Sequence, residues 1–191
     1  VRACSPITKQ QPDGLGCDII HQTITKYPDC IIVTGAPLTN LYNYVTKYCD
    51  KDGMKKYNKT KLTWIAQGGF AGDNVVPKEN RLSKFDGKKF CPTWNFGGNV
   101  KAAEYLLLDP HCKNVFKTRH LVSKNVCHGV YYNKKFQDKV EEYKDKHPAL
   151  RIIYDEMNNY MKKRKDGKKF HDVLAAVAAI NRNAVEFREI L

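Results

Sequence analysis

His171-Asp172 stands at the head of an apolar run, FHDVLAAVAAI. Histidine titrates near neutrality, so His171 can donate a proton at working pH. Taken alone, the pair reads as a helix start with an aspartate in its first turn. Two asparagines, Asn74 and Asn95, sit in turn-like surroundings. An amide offers both a donor and an acceptor, which suits hydroxyl groups, although asparagine is also an ordinary turn residue. Thr39 stands where an N-cap belongs, and His128 closes an apolar stretch. Singly, none of these residues specifies an activity.

The elements that position them follow from hydrophobic periodicity. Ile19, Ile20 and Ile24 fall on one face of a short helix within residues 15–28. Cys30-Ile31-Ile32-Val33-Thr34 reads as a buried strand and Leu62-Thr63-Trp64-Ile65-Ala66 as a second, each ended by glycine. Thr39-Asn40 opens a helix with Leu41, Tyr44, Val45 and Tyr48 at helical spacing. Residues 71–92 are polar and form a connection long enough to suggest a functional or inserted loop. A helix over 99–108 follows, capped by Asn99, with Val100, Ala103, Leu106 and Leu107 as its buried stripe. Residues 119–127 read as a further strand. Phe136, Val140 and Tyr143 mark one helix, and Ile152, Ile153, Met157, Tyr160 and Met161 mark another. The last begins near Phe170. Residues 1–14 are expected to be irregular. This βαβα alternation predicts an α/β fold, a mostly parallel, Rossmann-like sheet flanked by helices. Such sheets bind ligands at the carboxyl ends of their strands.

Four motifs in order carry a resemblance. They are Gly35-Ala36-Pro37-Leu38-Thr39-Asn40, Gln67-Gly68-Gly69-Phe70 with Asn74, Thr93-Trp94-Asn95-Phe96, and His171-Asp172. Together they resemble the later part of an inosine/uridine-preferring nucleoside hydrolase, from about Asp18 to the end of the sequence. The resemblance implies an N-glycosyl hydrolase that releases a nucleobase from a ribonucleoside by Ca2+-assisted attack of water. It implies His171 as the leaving-group acid, Asp172 and the Thr39 carbonyl as metal ligands, and Asn74, Asn95 and His128 as substrate contacts. Two local departures stand out. The usual Glu-Phe-Asn triplet is here Thr93-Trp94-Asn95, and the loop between Asn74 and Asn95 is longer. A third is larger: the family's opening D-x-D-x-x-x-D-D, with the strand that bears it, is not in these residues. The expectation is therefore a partial nucleoside-hydrolase-like domain over 1–191, lacking the N-terminal strand or strands. It would need an acidic N-terminal fragment or partner chain to bind calcium. The alternative is a catalytically inactive descendant serving as a basic structural or nucleic-acid-associated subunit.

Composition bounds both readings. Of 191 residues, 42% are hydrophobic, enough for a core. The net charge of +13 permits a solvated lysine surface, nucleic acid or an acidic partner. A run at Lys162-Lys163-Arg164-Lys165, then Lys168-Lys169, lies beside His171-Asp172. It fits either a helix C-terminus or attraction of an anionic ligand. Seven cysteines with no C-x-x-C argue against zinc and for a reducing, cytoplasmic setting. Cys30 and Cys127 are expected as buried free thiols in strand-like stretches. Asn58-Lys59-Thr60 is a sequon of a kind common by chance. No apolar run reaches membrane-span length, and a homo-oligomer is compatible with the sequence.

Overall fold

A computed structural model describes residues 12–49 and 61–189. Cys4, most of the irregular segment 1–14 and the Asn58 sequon lie outside the described residues. The chain opens with helix α1 (Gly16–Lys26), strand β1 (Ile31–Thr34), helix α2 (Thr39–Tyr48) and strand β2 (Leu62–Gln67). After the long loop come three helices, α3 (Trp94–Gly97), α4 (Val100–Leu108) and α5 (Pro110–Val115), and then strand β3 (Phe116–Val122). Helix α6 (Lys124–Gly129), strand β4 (Tyr131–Tyr132) and helices α7 (Lys134–Glu141) and α8 (Pro148–Lys163) follow. Strand β5 (Lys168–Lys169) and helix α9 (Asp172–Ile180) complete the order.

The first three strands form a parallel sheet in the order β1-β2-β3, flanked by helices in a Rossmann-like α/β arrangement. β4 and β5 pair antiparallel in a separate ribbon. β2 is central, and Trp64, Ile65 and Ala66 are fully buried. Trp64 also donates to Thr34 Oγ1 at 3.0 Å, so its one polar atom is satisfied. One face of the sheet packs on α1, α2, α4 and α5 through residues such as Ile24, Leu41, Tyr44 and Leu106. The other face holds Ile65 and Val122 against Leu174, Ala175 and Ala178 of α9. The two alanines are fully buried and let α9 lie close to the sheet. Burying a Leu side chain is worth about 1.5–3 kcal/mol, so Leu174 is a main anchor of α9.

Several expectations need correction. β1 is not a buried strand: Ile31 and Val33 are 37% and 41% exposed, and among the described residues β1 is an edge of the sheet with β2 as its neighbour. The strand expected over 119–127 is β3, ending at Val122. Val122 stands opposite Gln67, the last residue of β2, and the Gly68 and Lys124 amides then bond Val122 O and Gly69 O at 3.1 and 2.9 Å, closing the ladder. Ser123 then starts α6, placing Cys127 and His128 on a helix. In α4 the Asn99 side chain accepts from the Ala102 amide, and the buried stripe is Ala102, Ala103 and Leu106, with Val100 turned to solvent. Ile19 of α1 is likewise exposed, and the buried positions of that helix are Cys17 and Ile24. The final helix starts at Asp172, since Lys168-Lys169 are committed to β5.

Candidate functional site

His171 and Asp172 are held at the carboxyl ends of β1 and β2 by the docking of α9. The Asp172 carboxylate lies against Gly35, the residue that follows β1. A Cβ built there would stand 2.8 Å from Asp172 Oδ1, so only glycine permits this approach. The His171 ring points the other way, toward the end of β3, and stacks on His128 with centroids 5.5 Å apart and planes 23° from parallel. The head of α9 thus spans the ends of the sheet, its carboxylate over β1 and its imidazole toward β3.

A polar chain beneath links the candidates. Asn95 is buried, and its amide donates to Gln67 O at 2.9 Å and Gln67 Oε1 at 2.6 Å. Gln67 Nε2 donates to Cys127 Sγ at 3.4 Å, and that thiol reaches the His171 carbonyl at 3.8 Å. Burial pushes the Cys127 thiol above its usual range, as expected of a packing group. Asn95 is therefore tied to the strand end by its donors, and Gln67 connects it to the floor under His171.

Thr39 opens α2, and its hydroxyl accepts from Asn99 Nδ2 at 2.8 Å. This joins the loop after β1 to the cap of α4. Asn74 is exposed in the long loop, its side-chain oxygen folded back over Gly72. That loop is pinned by Arg81, which donates to Val76 O at 3.0 Å and to Asp73 O. Phe85 anchors it, buried between Phe70 and His128 at 5.3 and 5.5 Å. The structure thus gathers His171, Asp172 and His128 closely, and Asn95 through Gln67. Thr39 and Asn74 are placed on neighbouring segments with partners of their own.

The electrostatics were not legible in the sequence. Lys84 Nζ is hydrogen-bonded to His128 Nδ1, and Lys169 Nζ stands 3.4 Å from the same atom. Lys124, at the start of α6, donates to Pro92 O at 2.8 Å and adds its charge nearby. Burial, then Lys84 and Lys169, pull the His128 imidazole down to about 4. Burial, then Lys168, lowers His171, with Asp172 opposing. Lys84 falls to about 8 through burial and its Lys169 neighbour. Of these lysines, the basic run beside His171-Asp172 in the sequence includes only Lys168 and Lys169. Gln67 lies in the motif Gln67-Gly68-Gly69-Phe70, but its link to Asn95 and Cys127, and the approach of Lys84 and Lys124, depend on tertiary structure.

Neutral His128 leads to a pH prediction. Its folded value of about 4 lies below the ordinary 6.5, so the unfolded chain takes up the proton first. Its contribution to stability is complete above 6.5 and is lost as pH falls through that window toward 4. Between pH 7 and 4 the melting temperature of the protein should fall further than that of His128→Gln. Parallel curves would show that Lys84, Lys169, Lys124 and His171 do not hold this ring neutral.

Among the described residues, no group of three or more His, Cys, Asp and Glu side chains is arranged to hold a metal ion. Asp172 and the Thr39 carbonyl would be two oxygen ligands, whereas calcium takes six to eight. The lysines around His128 oppose a cation further. The described residues alone do not fit a calcium site. His171 and Asp172 are exposed. A hollow of about 370 Å³ lies aside, in the loop, between Asp73, Arg81 and Asp86. One of about 310 Å³ lies between α7 and α8, near Gln137 and Tyr154.

No family model matches the chain. It is similar to an uncharacterized protein of Aquifex aeolicus (strain VF5), 30% identical over 130 residues, an alignment covering 66% of this chain and 41% of that protein. The chain thus spans about two-fifths of the length of the relative it matches. Among the described residues, no helix is long and apolar enough to cross a membrane.

Proposed function

We propose that this chain is the part of a nucleoside N-ribohydrolase that carries the leaving-group acid, and that an acidic segment outside these residues completes the site. The observation that carries the reading is the placement of His171 and Asp172 together at the carboxyl ends of β1 and β2. In the reaction the C1′–N bond of a ribonucleoside breaks and its electron pair leaves with the base. His171 in its protonated form, which burial and Lys168 confine to lower pH, gives its proton to that base nitrogen. Water bonds to C1′ and gives its proton to a carboxylate of the supplied segment, and Asp172 offers one oxygen toward the ribose side. Calcium would enter only with that segment, where it would hold the water and the ribose hydroxyls.

The open flank of β1 supports a missing neighbour. Ile31 and Val33 of the strand, with Val173, Val177 and Ile180 of α9, present apolar side chains to solvent. An edge strand with such a face is a template for another strand. Cys17, Cys30, Cys91, Cys112 and Cys127 are free thiols, which fits a cytoplasmic setting. A second reading, an inactive basic subunit associated with nucleic acid, is favoured by the +13 charge.

The test is base release from inosine and uridine by the chain alone and with a segment bearing D-x-D-x-x-x-D-D, with and without calcium. The chain alone should be inactive, and the assembly should be active with calcium. An assembly that forms, binds calcium and releases no base would defeat the proposal. Retention on nucleic acid at physiological salt by such an inactive assembly would favour the second reading.

A further inference from the structure

Two lysines from separate elements, Lys84 and Lys169, meet at one imidazole, and a third, Lys124, adds its charge nearby. Lys84 comes from the turn Ser83–Phe85, Lys124 from the first turn of α6, and Lys169 from β5. Lys84 and Lys169 both address His128 Nδ1. That nitrogen has a single lone pair and accepts one hydrogen bond. The second ammonium therefore lies beside a like charge without a full acceptor. No ion pair of the described residues includes Lys84, Lys124 or Lys169. Lysines on an ordinary surface spread apart. Here Phe85 packs beneath His128 and the ribbon β4–β5 holds Lys169 in place. The arrangement supplies ammonium donors, and what it lacks is an acceptor carrying negative charge.

Position in the fold decides which anion. The cluster lies on the β3 side of His171; among the described residues β1 and β3 are both sheet edges, and the edge with the exposed apolar face is β1. A strand added beside β1 would stand three strand spacings from β3, roughly 14 Å at about 4.8 Å each. An acidic segment on that edge therefore reaches Asp172 before the lysines. An anionic group on the ligand itself reaches them directly, because His171 touches both His128 and the Asp172 side.

We infer that Lys84 and Lys169, with the charge of Lys124 nearby, form a phosphate subsite next to His171, so that the preferred ligand is a phosphate ester of a ribonucleoside rather than the free nucleoside. The inference rests on the N-ribohydrolase reading for the identity of the ligand, and on the lysine geometry for the phosphate. The reaction is otherwise unchanged: the phosphate is held and is not transferred.

The probes are inorganic phosphate, ribose 5-phosphate and ribose, titrated calorimetrically into the whole chain at fixed ionic strength. Ribose 5-phosphate should bind at least about tenfold more tightly than ribose, since charge-assisted hydrogen bonds are the stronger class. Lys84→Gln and Lys169→Gln should each weaken inorganic phosphate by about tenfold, and Lys169→Arg should retain it. Lys163→Gln, at the exposed end of α8, is the control for general charge and should change nothing. Circular dichroism of each variant separates loss of the site from loss of the fold. Equal weakening by Lys163→Gln, or no phosphate binding by the folded protein, overturns the inference. So does tighter binding of a poly-aspartate peptide than of ribose 5-phosphate, which would make the cluster a protein-docking face. Failure of the N-ribohydrolase reading shows separately, as no base release from nucleoside or phosphate ester by the completed assembly while phosphate binding persists.

Discussion

Gly167→Ala is expected to lower stability by at least about 3 kcal/mol and to abolish ligand binding together with it. Gly167 has φ +76°, in the left-handed region. An L-residue pays about 1–2 kcal/mol there before any contact is considered. The contact is the larger effect. A Cβ at this position would stand 2.0 Å from the carbonyl oxygen of Tyr132, a backbone atom of the paired strand. No rotamer relieves such an overlap, so the chain must move. The turn is closed by the Gly167 amide on Arg164 O at 3.0 Å, and Phe170 N then bonds Val130 O at 2.9 Å. Displacing it separates β5 from β4 and carries Lys169, Phe170 and His171 with it. Urea denaturation gives the stability and phosphate titration the binding. A variant within about 1 kcal/mol of the parent would mean that this ribbon does not have the described register.

His171→Ala, in the assembly with the acidic segment, is expected to slow base release from inosine by about 10²–10⁴-fold, the usual range for general acid catalysis. That is about 3–5 kcal/mol of barrier, at 1.36 kcal/mol per tenfold. The loss should fall on kcat more than on KM, because a proton donor acts on the departing base. The leaving group provides the decisive comparison. A riboside whose leaving group departs as a stable anion, such as nitrophenolate, needs no proton and should be cleaved at nearly the parental rate. Equal losses on both substrates would assign His171 to positioning and remove it as the acid. Asp172→Asn should slow both substrates alike, since its role lies on the ribose side.

How far the sequence foretold this arrangement depends on the range of the interaction. β2, α2 and α4 were legible because their apolar spacing is local and their ends carry glycine, Thr39 or Asn99. The start of β3 and its end at Val122 were not, because a strand ends where its neighbour does, and Gln67 is far away in sequence. The ribbon of Tyr131-Tyr132 with Lys168-Lys169 is too short for any periodicity. Ile31 and Val33 have the composition of a buried strand, and the sequence does not say which strand is an edge. Among site residues, the neighbourhood of His171 and Asp172 with Gly35 follows from motif order. The commitment of the Asn95 amide to Gln67 and the meeting of Lys84 with Lys169 follow only from tertiary packing.

The placement of α9 also orders how the molecule assembles. β1, α2 and β2 are successive in the chain, and each closes on its neighbour over a short span. Ile65 meets Leu174, by contrast, only after nearly the whole remaining chain is in place. Longer loops close at greater entropic cost, and contacts between distant segments form late. The sheet therefore exists before α9 docks on it, and Asp172 meets Gly35 in the same late event. A partly opened molecule that has released this one helix keeps its sheet and loses its chemistry, so function disappears before the fold does.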